Sequence, residues 1–333
     1  MDSLKGRFSG VATVAVATAL LTTASAGAVP SLKIVATIPL PGYGGVAVGP
    51  GAVWAVSSKA ETVSRIDPVA GSAGATTTFA SKASEPDIGP AAFVGGKVWV
   101  ASFANNTVSS LDPATNQVAA TVSNLASPID LLSTADGLWV ANHRGGTVSR
   151  IDPSIGTVVA TIKVGPGGNS GPSGLGAAAD GTVWVAVPNI HSIVGINPRT
   201  NAVSAKLRIH DPCDPIAVAS SPGALWVGLG ECGTGDLLRI NPKSGKIVAR
   251  ISGDALKGAA TGLRFGLGSI WVTATYPSGV ARPASLDRIN AATNKVVSRT
   301  KLSLDPDGAS IAFGSNVVWV RADAKIYEIS ATG

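Results

Sequence analysis

The chain holds seven tryptophans, and they return at nearly constant intervals. Trp54, Trp99, Trp139, Trp184, Trp226, Trp271 and Trp319 are separated by 45, 40, 45, 42, 45 and 48 residues. That is the period of a four-stranded propeller blade, and an internal repeat outranks length as a guide to domain count. Each tryptophan sits in one local phrase: AVWAV, KVWVA, GLWVA, TVWVA, ALWVG, SIWVT or VVWVR. A short β-branched run precedes each phrase, with a turn residue between. Gly51, Gly96, Gly181, Gly223 and Gly268 lie three residues before their tryptophans, Gly137 lies two before, and Asn316 takes the place in the last unit. Gly and Asn tolerate the positive φ that a tight hairpin needs.

Past each tryptophan comes a third strand that ends in a turn signal: SRIDP, SSLDP, SRIDP, VGINP, LRINP and DRINA. Four residues beyond that Asp or Asn stands Gly71, Asn116, Gly156, Asn201, Gly245 or Asn294. Asp or Asn opens such a turn with a side-chain bond to the backbone, and Gly or Asn takes its left-handed position. A fourth strand follows, as in TVVATIKV (157–164). No sustained 3.6-residue apolar period appears outside the first residues, so the chain reads as all-β. The last unit stops after its third strand, KIYEIS (325–330), while LKIVATIPL (32–40) precedes the first unit and matches the missing fourth strand. An open strand edge leaves backbone groups unpaired, and closure removes it. The expected architecture is a seven-bladed β-propeller of four-stranded antiparallel blades. Its ring is closed by residues 32–40, which complete the last blade. Mid-strand and flanked by valines, the tryptophans are expected to pack between blades.

The N-terminus reads separately. Lys5 and Arg7 precede an apolar run from Phe8 to about Ala24, and two A-x-A signals follow at Ala24–Ala26 and Ala26–Ala28. Basic, apolar and small-residue segments in that order make a secretory signal peptide. The run is short for a membrane span and lacks positive stop-transfer residues, so no span is expected after cleavage. The domain reading is signal peptide 1–28 and a single propeller 29–333, secreted or held in the periplasm or cell envelope as a monomer. Without residues 1–28 the chain carries 24 basic and 19 acidic side chains. The basic residues are scattered rather than gathered in a stripe with stacking aromatics, which is not the footprint of a nucleic-acid binder.

In this phrasing the chain is similar to the bacterial YVTN-type seven-bladed propellers, which are related to the streptogramin (virginiamycin B) lyase group. LWVANHRGGTVSRIDPSIGTVVATI (138–162) carries the likeness, and it returns in every blade. The lyase branch implies an Mg²⁺-dependent C–O elimination that opens a cyclic depsipeptide. It also implies histidines just after the prolines leading into the inner strands, together with a glutamate. Here Pro41, Pro86, Pro128, Pro172, Pro212 and Pro306 are followed by Gly42, Asp87, Ile129, Ser173, Cys213 and Asp307. None is histidine, so no catalytic residue carries over. The expected function is that of a non-catalytic scaffold binding a small molecule, peptide or envelope protein at the channel mouth. A metal-dependent lyase is the alternative.

Loops from several blades converge on one propeller face, at the channel mouth. The lead-in loops offer Asp87, Asp130, Asp214 and Asp307, and the loops after the second strands offer Asn142, His143, His191 and Arg321. Inward-facing carboxylates could hold a divalent cation, Mg²⁺ or Ca²⁺; each Asp could equally cap its own turn. His143 and His191 fall in comparable loops of neighbouring blades but have no third ligand at metal spacing. The glycine-rich stretch 165–176 opens no helix and reads as an extended lead-in loop. Cys213 and Cys232 flank the first two strands of the fifth blade at one end. In an oxidising compartment they are expected to form a disulfide, which would stabilise by about 3 kcal/mol. Intact mass and thiol alkylation of the exported protein should show loss of the first 26 or 28 residues and no reactive thiol. A full-length chain would overturn the leader assignment, and two alkylated cysteines the bridge.

Overall fold

The computed structural model describes residues 30–79, 88–169, 171–230, 235–256, 258–275, 283–303, 310–322 and 324–332. Seven four-stranded antiparallel sheets make the ring, and strand order within six of them follows chain order. The inner strands of blades 1 to 7 are Val46–Gly49, Ile88–Val94, Pro128–Thr134, Leu175–Ala177, Asp214–Ser221, Ala259–Gly266 and Ser310–Phe313. Helix is confined, among the described residues, to one four-residue turn at Gly253–Leu256 and a 3-10 turn at Pro188–Ile190.

The seventh sheet is the exception that closes the ring. Ile34–Pro39 pairs antiparallel with Lys325–Ser330, with Thr37 opposite Tyr327 and Ile38 opposite Ile326. The register shifts once between Ile34 and Ala36, and Leu40 N–H donates to Ala324 O at 2.8 Å. Just upstream, Leu32 exchanges backbone bonds with the Thr300 hydroxyl of blade 6 at 3.0 and 3.2 Å. The N-terminal strand therefore supplies the fourth strand that the last unit lacks.

Each tryptophan packs onto the following blade. Trp139 clusters with Leu175, Val183 and Val185 of blade 4, Trp271 with Val318 and Val320 of blade 7, and Trp319 with Val46 and Val53 of blade 1. All seven are buried. Buried indole N–H groups need partners, and several find one five residues back, as Trp139 does on Thr134 Oγ1 at 3.1 Å and Trp271 on Gly266 O at 3.0 Å. The arginine opposite the tryptophan in register covers the ring: Arg150, Arg239 and Arg288 lie 5.4 to 5.6 Å from Trp139, Trp226 and Trp271. The same arginines then bond to the next blade. Arg150 donates to Pro198 O and Asn201 Oδ1, Arg239 to Asn294 Oδ1, and Arg288 to Ala331 O. A planar, always-charged fork with five donors suits this double duty.

The turns follow the expected chemistry. Asp67 Oδ1 accepts from the N–H groups of Val69 and Ala70, Asn241 Oδ1 from Lys243 and Ser244, and Asn290 Oδ1 from Ala292 and Thr293. Those N–H bonds, Ala70's first, hold the Asp67 carboxyl below its usual range. Gly71, Asn116, Gly156, Asn201, Gly245 and Asn294 all have positive φ. Asn316 does not. Blade 7 turns instead with Gly314 N–H on Val317 O at 2.9 Å, so no left-handed residue is needed there.

Blade 6 replaces a repeated polar pair with a charged one. In blades 1 to 3, Ser64–Thr76, Ser109–Thr121 and Ser149–Thr161 face each other across the third and fourth strands with hydroxyls 3.0 to 3.5 Å apart. In that register blade 6 has Asp287 and Arg299, joined by two bonds of 2.7 and 2.5 Å. Burial pushes the Asp287 carboxyl up, against the pull of Arg299. Removing one partner of a buried pair strands the other charge, whereas replacing both is far less costly. Asp287→Ser alone should therefore cost about 3 kcal/mol in denaturant unfolding. Asp287→Ser with Arg299→Thr, the pair of blades 1 to 3, should recover most of it. Equal losses in the single and double variants would show that the charges are not coupled.

Candidate functional site

The inner strands bulge at their channel-mouth ends. Register skips one residue at Ile129, Ile216 and Thr261, and Gly89 and Pro90 together oppose the single residue Ala101. A bulge bends its strand and re-aims a side chain, and these residues line a central cavity of about 530 Å³ to which all seven blades contribute. The rim is laced from blade to blade. Gly45 N–H donates to Gly89 O at 2.8 Å, Gly174 N–H to Ile216 O at 3.1 Å, and Val46 N–H to Ser310 Oγ at 3.2 Å. Leu175 N–H donates to Asp130 Oδ2 at 2.8 Å. A volume of this size suits a small ligand, for which sites run roughly 300–1,000 Å³.

Asp130 is the candidate that faces this cavity most directly. Besides Leu175, its Oδ1 accepts from Leu131 N–H at 2.9 Å and from Arg264 Nη2 at 3.1 Å. Arg264 comes from blade 6 and reaches the channel wall of blade 3. Asp214 is placed differently: its Oδ1 lies 3.0 Å from His191 Nδ1, and neither atom has another hydrogen-bond partner among the described residues. His191 is left-handed, with φ 45°, at the end of the 3-10 turn. The outlying Asp211 pairs with Arg250, which also holds Asp236.

His143 and His191 keep different partners. The Nδ1 of His143 lies 3.1 Å from Pro172 O and its Nε2 2.8 Å from Asn169 O, so both ring nitrogens face carbonyls of the glycine-rich lead-in loop of blade 4, and a neutral ring donates to one of them. That loop is wedged beneath the blade 3 loop, with Gly168 N–H on Arg144 O at 3.1 Å and Val164 N–H on Gly146 O at 3.0 Å. A Cβ at Gly171 would run into the His143 carbonyl oxygen, and one at Gly167 into that of Arg144. The glycines are there for close backbone approach.

Two further candidates are corrected. Arg321 is 1% exposed and offers no surface to a ligand. Its guanidinium gathers the carbonyls of Leu40, Pro41, Gly42, Val56 and Lys325, which fastens the closing strand to blades 7 and 1. Asn142 is also buried, and its Nδ2 donates to Thr147 Oγ1 at 3.0 Å and Ser149 Oγ at 2.8 Å within its own blade. Asp87, Asp307 and Cys232 lie outside the described residues. Among the described residues no three of His, Cys, Asp or Glu come together in a way that could hold a metal ion.

With this geometry in view, the likeness to solved proteins is specific to architecture. It shares the fold of the streptogramin B lyases. Virginiamycin B lyase from Staphylococcus aureus superposes with a TM-score of 0.71 at 18% identity, over 88% of this chain and 98% of that one. A catalytically inactive variant of that enzyme, solved with quinupristin, gives 0.68 at 18% identity over 87% and 94%. Kuenenia stuttgartiensis hydrazine synthase gives 0.71 at 15% identity over 88% and 96%. No protein-family model matches the sequence, and no curated protein does. At these identities the likeness fixes the propeller and leaves the chemistry to the residues.

Arg264 is the channel residue that the sequence reading missed. It lies inside a strand, not in a loop, and only register places it opposite Trp271. For the lead-in loop, Gly171→Ala should cost about 1–3 kcal/mol through overpacking against a backbone carbonyl and expose residues 165–174 to limited proteolysis. Gly51→Ala is the control: its φ is +69° with open space around it, so the cost should be about 1–2 kcal/mol and protease sensitivity in that loop unchanged. Unaltered proteolysis in Gly171→Ala would show that the loop is not held by close approach.

Proposed function

We propose that this chain is an exported, non-catalytic scaffold that binds a small molecule, a peptide or an envelope protein at the mouth of its channel. The observation that carries this reading is how fully the acid–base groups at the mouth are occupied. His191, half exposed beside Asp214, lies off the channel wall, while His143 stands against two carbonyls and Asp130 holds two backbone N–H groups and Arg264. A general base needs an open position within reach of a substrate proton, and these groups are committed to the fold. The cavity beside them has the dimensions of a ligand site. Export rests on the leader-like N-terminus, and a Cys213–Cys232 bridge would suit the same compartment.

A metal-assisted lyase is the second reading, favoured by the fold shared with streptogramin B lyase and by the acidic lead-in loops. Incubation with Mg²⁺ and a streptogramin B lactone is expected to leave the ring closed. Elimination would open it without changing its mass, so the product is sought by retention time and fragmentation. A ring-opened isomer would overturn the scaffold reading.

A further inference from the structure

A propeller offers seven equivalent positions at each depth of its channel, so departures from the repeat can be read one by one. Opposite the tryptophans stand Ala47, Ala92, Leu132, Gly176, Ala219, Arg264 and Ala312. Two residues earlier come Gly45, Pro90, Asp130, Gly174, Ala217, Gly262 and Ser310, all on the cavity wall. Each layer is small or uncharged except at one place. The two exceptions belong to different blades, 134 residues apart in sequence, and they are the two side chains that meet at 3.1 Å.

We infer that this pair makes the channel a binding site for a small monocarboxylate with an apolar body, anchored by Arg264. The inference rests on the channel being a ligand site, as proposed above. Its chemistry comes from the unequal commitments of the two partners. Asp130 has both oxygens engaged, and two of its three donors are backbone N–H groups that hold it with or without Arg264. Arg264 has five N–H groups. One serves Asp130 and one the carbonyl of Leu263, at 3.0 Å. The side chain keeps 31% of its surface open, on the cavity wall. The site therefore offers donors and has few acceptors left, which disfavours a cationic ligand. A single-contact ion pair leaves part of the guanidinium fork open, and that fork matches a carboxylate in both geometry and charge. Ile129 and Ile216, half-buried on the same wall, would receive the apolar body.

Calorimetric titration of the full mature chain with hexanoate, hexanamide and hexylamine tests this. Hexanoate should bind about tenfold or more tighter than hexanamide, as a charge-assisted bond should, and hexylamine should not bind. Arg264→Ala should abolish the preference. It should also fold, since alanine holds that place in four other blades. Asp130→Ser, which copies Ser310 of blade 7, should tighten hexanoate by removing its competitor. A pair that only braces the ring would leave hexanoate indifferent to both variants. Equal binding of hexanoate and hexanamide, unchanged binding in Arg264→Ala, or no binding of any probe overturns the carboxylate assignment alone. Hexanoate binding that survives Ile129→Trp, which sets a larger side chain on the cavity wall, places the ligand elsewhere and removes the channel reading as well.

Discussion

The pairing of Ile34–Pro39 with Lys325–Ser330 governs everything else in this molecule. Six blades complete themselves by pairing strands that follow one another in the chain. The seventh joins the two ends of the propeller, and until it forms the ring has no fixed radius. Arg321 tightens that joint by collecting five carbonyls from three segments. A buried guanidinium that gathers five backbone oxygens is held in one orientation, so it favours one arrangement of the joint. Arg299 adds to the joint from blade 6 through its backbone N–H on Pro30 O at 2.9 Å. Cross-channel distances, including the one between Asp130 and Arg264, have meaning only because this closure sets them.

Between blades, the repeating interaction is a tryptophan slid onto the next sheet, and in blades 3, 5 and 6 it is roofed by an arginine that also bonds to the next blade. This arrangement couples turn chemistry to blade packing. Asn201 and Asn294 take left-handed positions that glycine fills elsewhere, and their side chains accept the arginine of the preceding blade. A residue read as a turn former is thus also an inter-blade contact. Its second role is invisible along the chain because the partner lies about 50 residues away.

That distinction describes how far the sequence could be read. Features set by neighbours in the chain were legible: the hairpin glycines, the Asx-opened turns, the buried tryptophans and the strand left over for closure. Features set by partners in other blades were not. Sequence position alone puts Arg321 at the mouth, near the end of a second strand, whereas the carbonyls that bury it come from residues 40–42 and 56 as well as Lys325. Yet a signal existed. At the same offset from the tryptophan the other blades have Val56, Ala101, Ala141, Ala186, Gly228 and Thr273, none of them charged. Arg264 carried the same kind of signal.

In a repeat protein the consensus encodes the scaffold, because whatever returns seven times must satisfy the same contacts seven times. Function needs asymmetry, since a ligand in a sevenfold channel meets identical walls unless some blade departs from the rest. Arg321 and the Asp287–Arg299 pair are departures buried within the ring and consumed in holding it together. Asp130 and Arg264 are departures on the cavity wall, and a structural demand from their own blades does not account for them, since the equivalent sites fold with alanine, glycine or serine. This difference in location separates asymmetry that serves stability from asymmetry that is open to a ligand. Shared architecture with a lyase cannot supply that separation, because architecture is the part that all seven blades agree on.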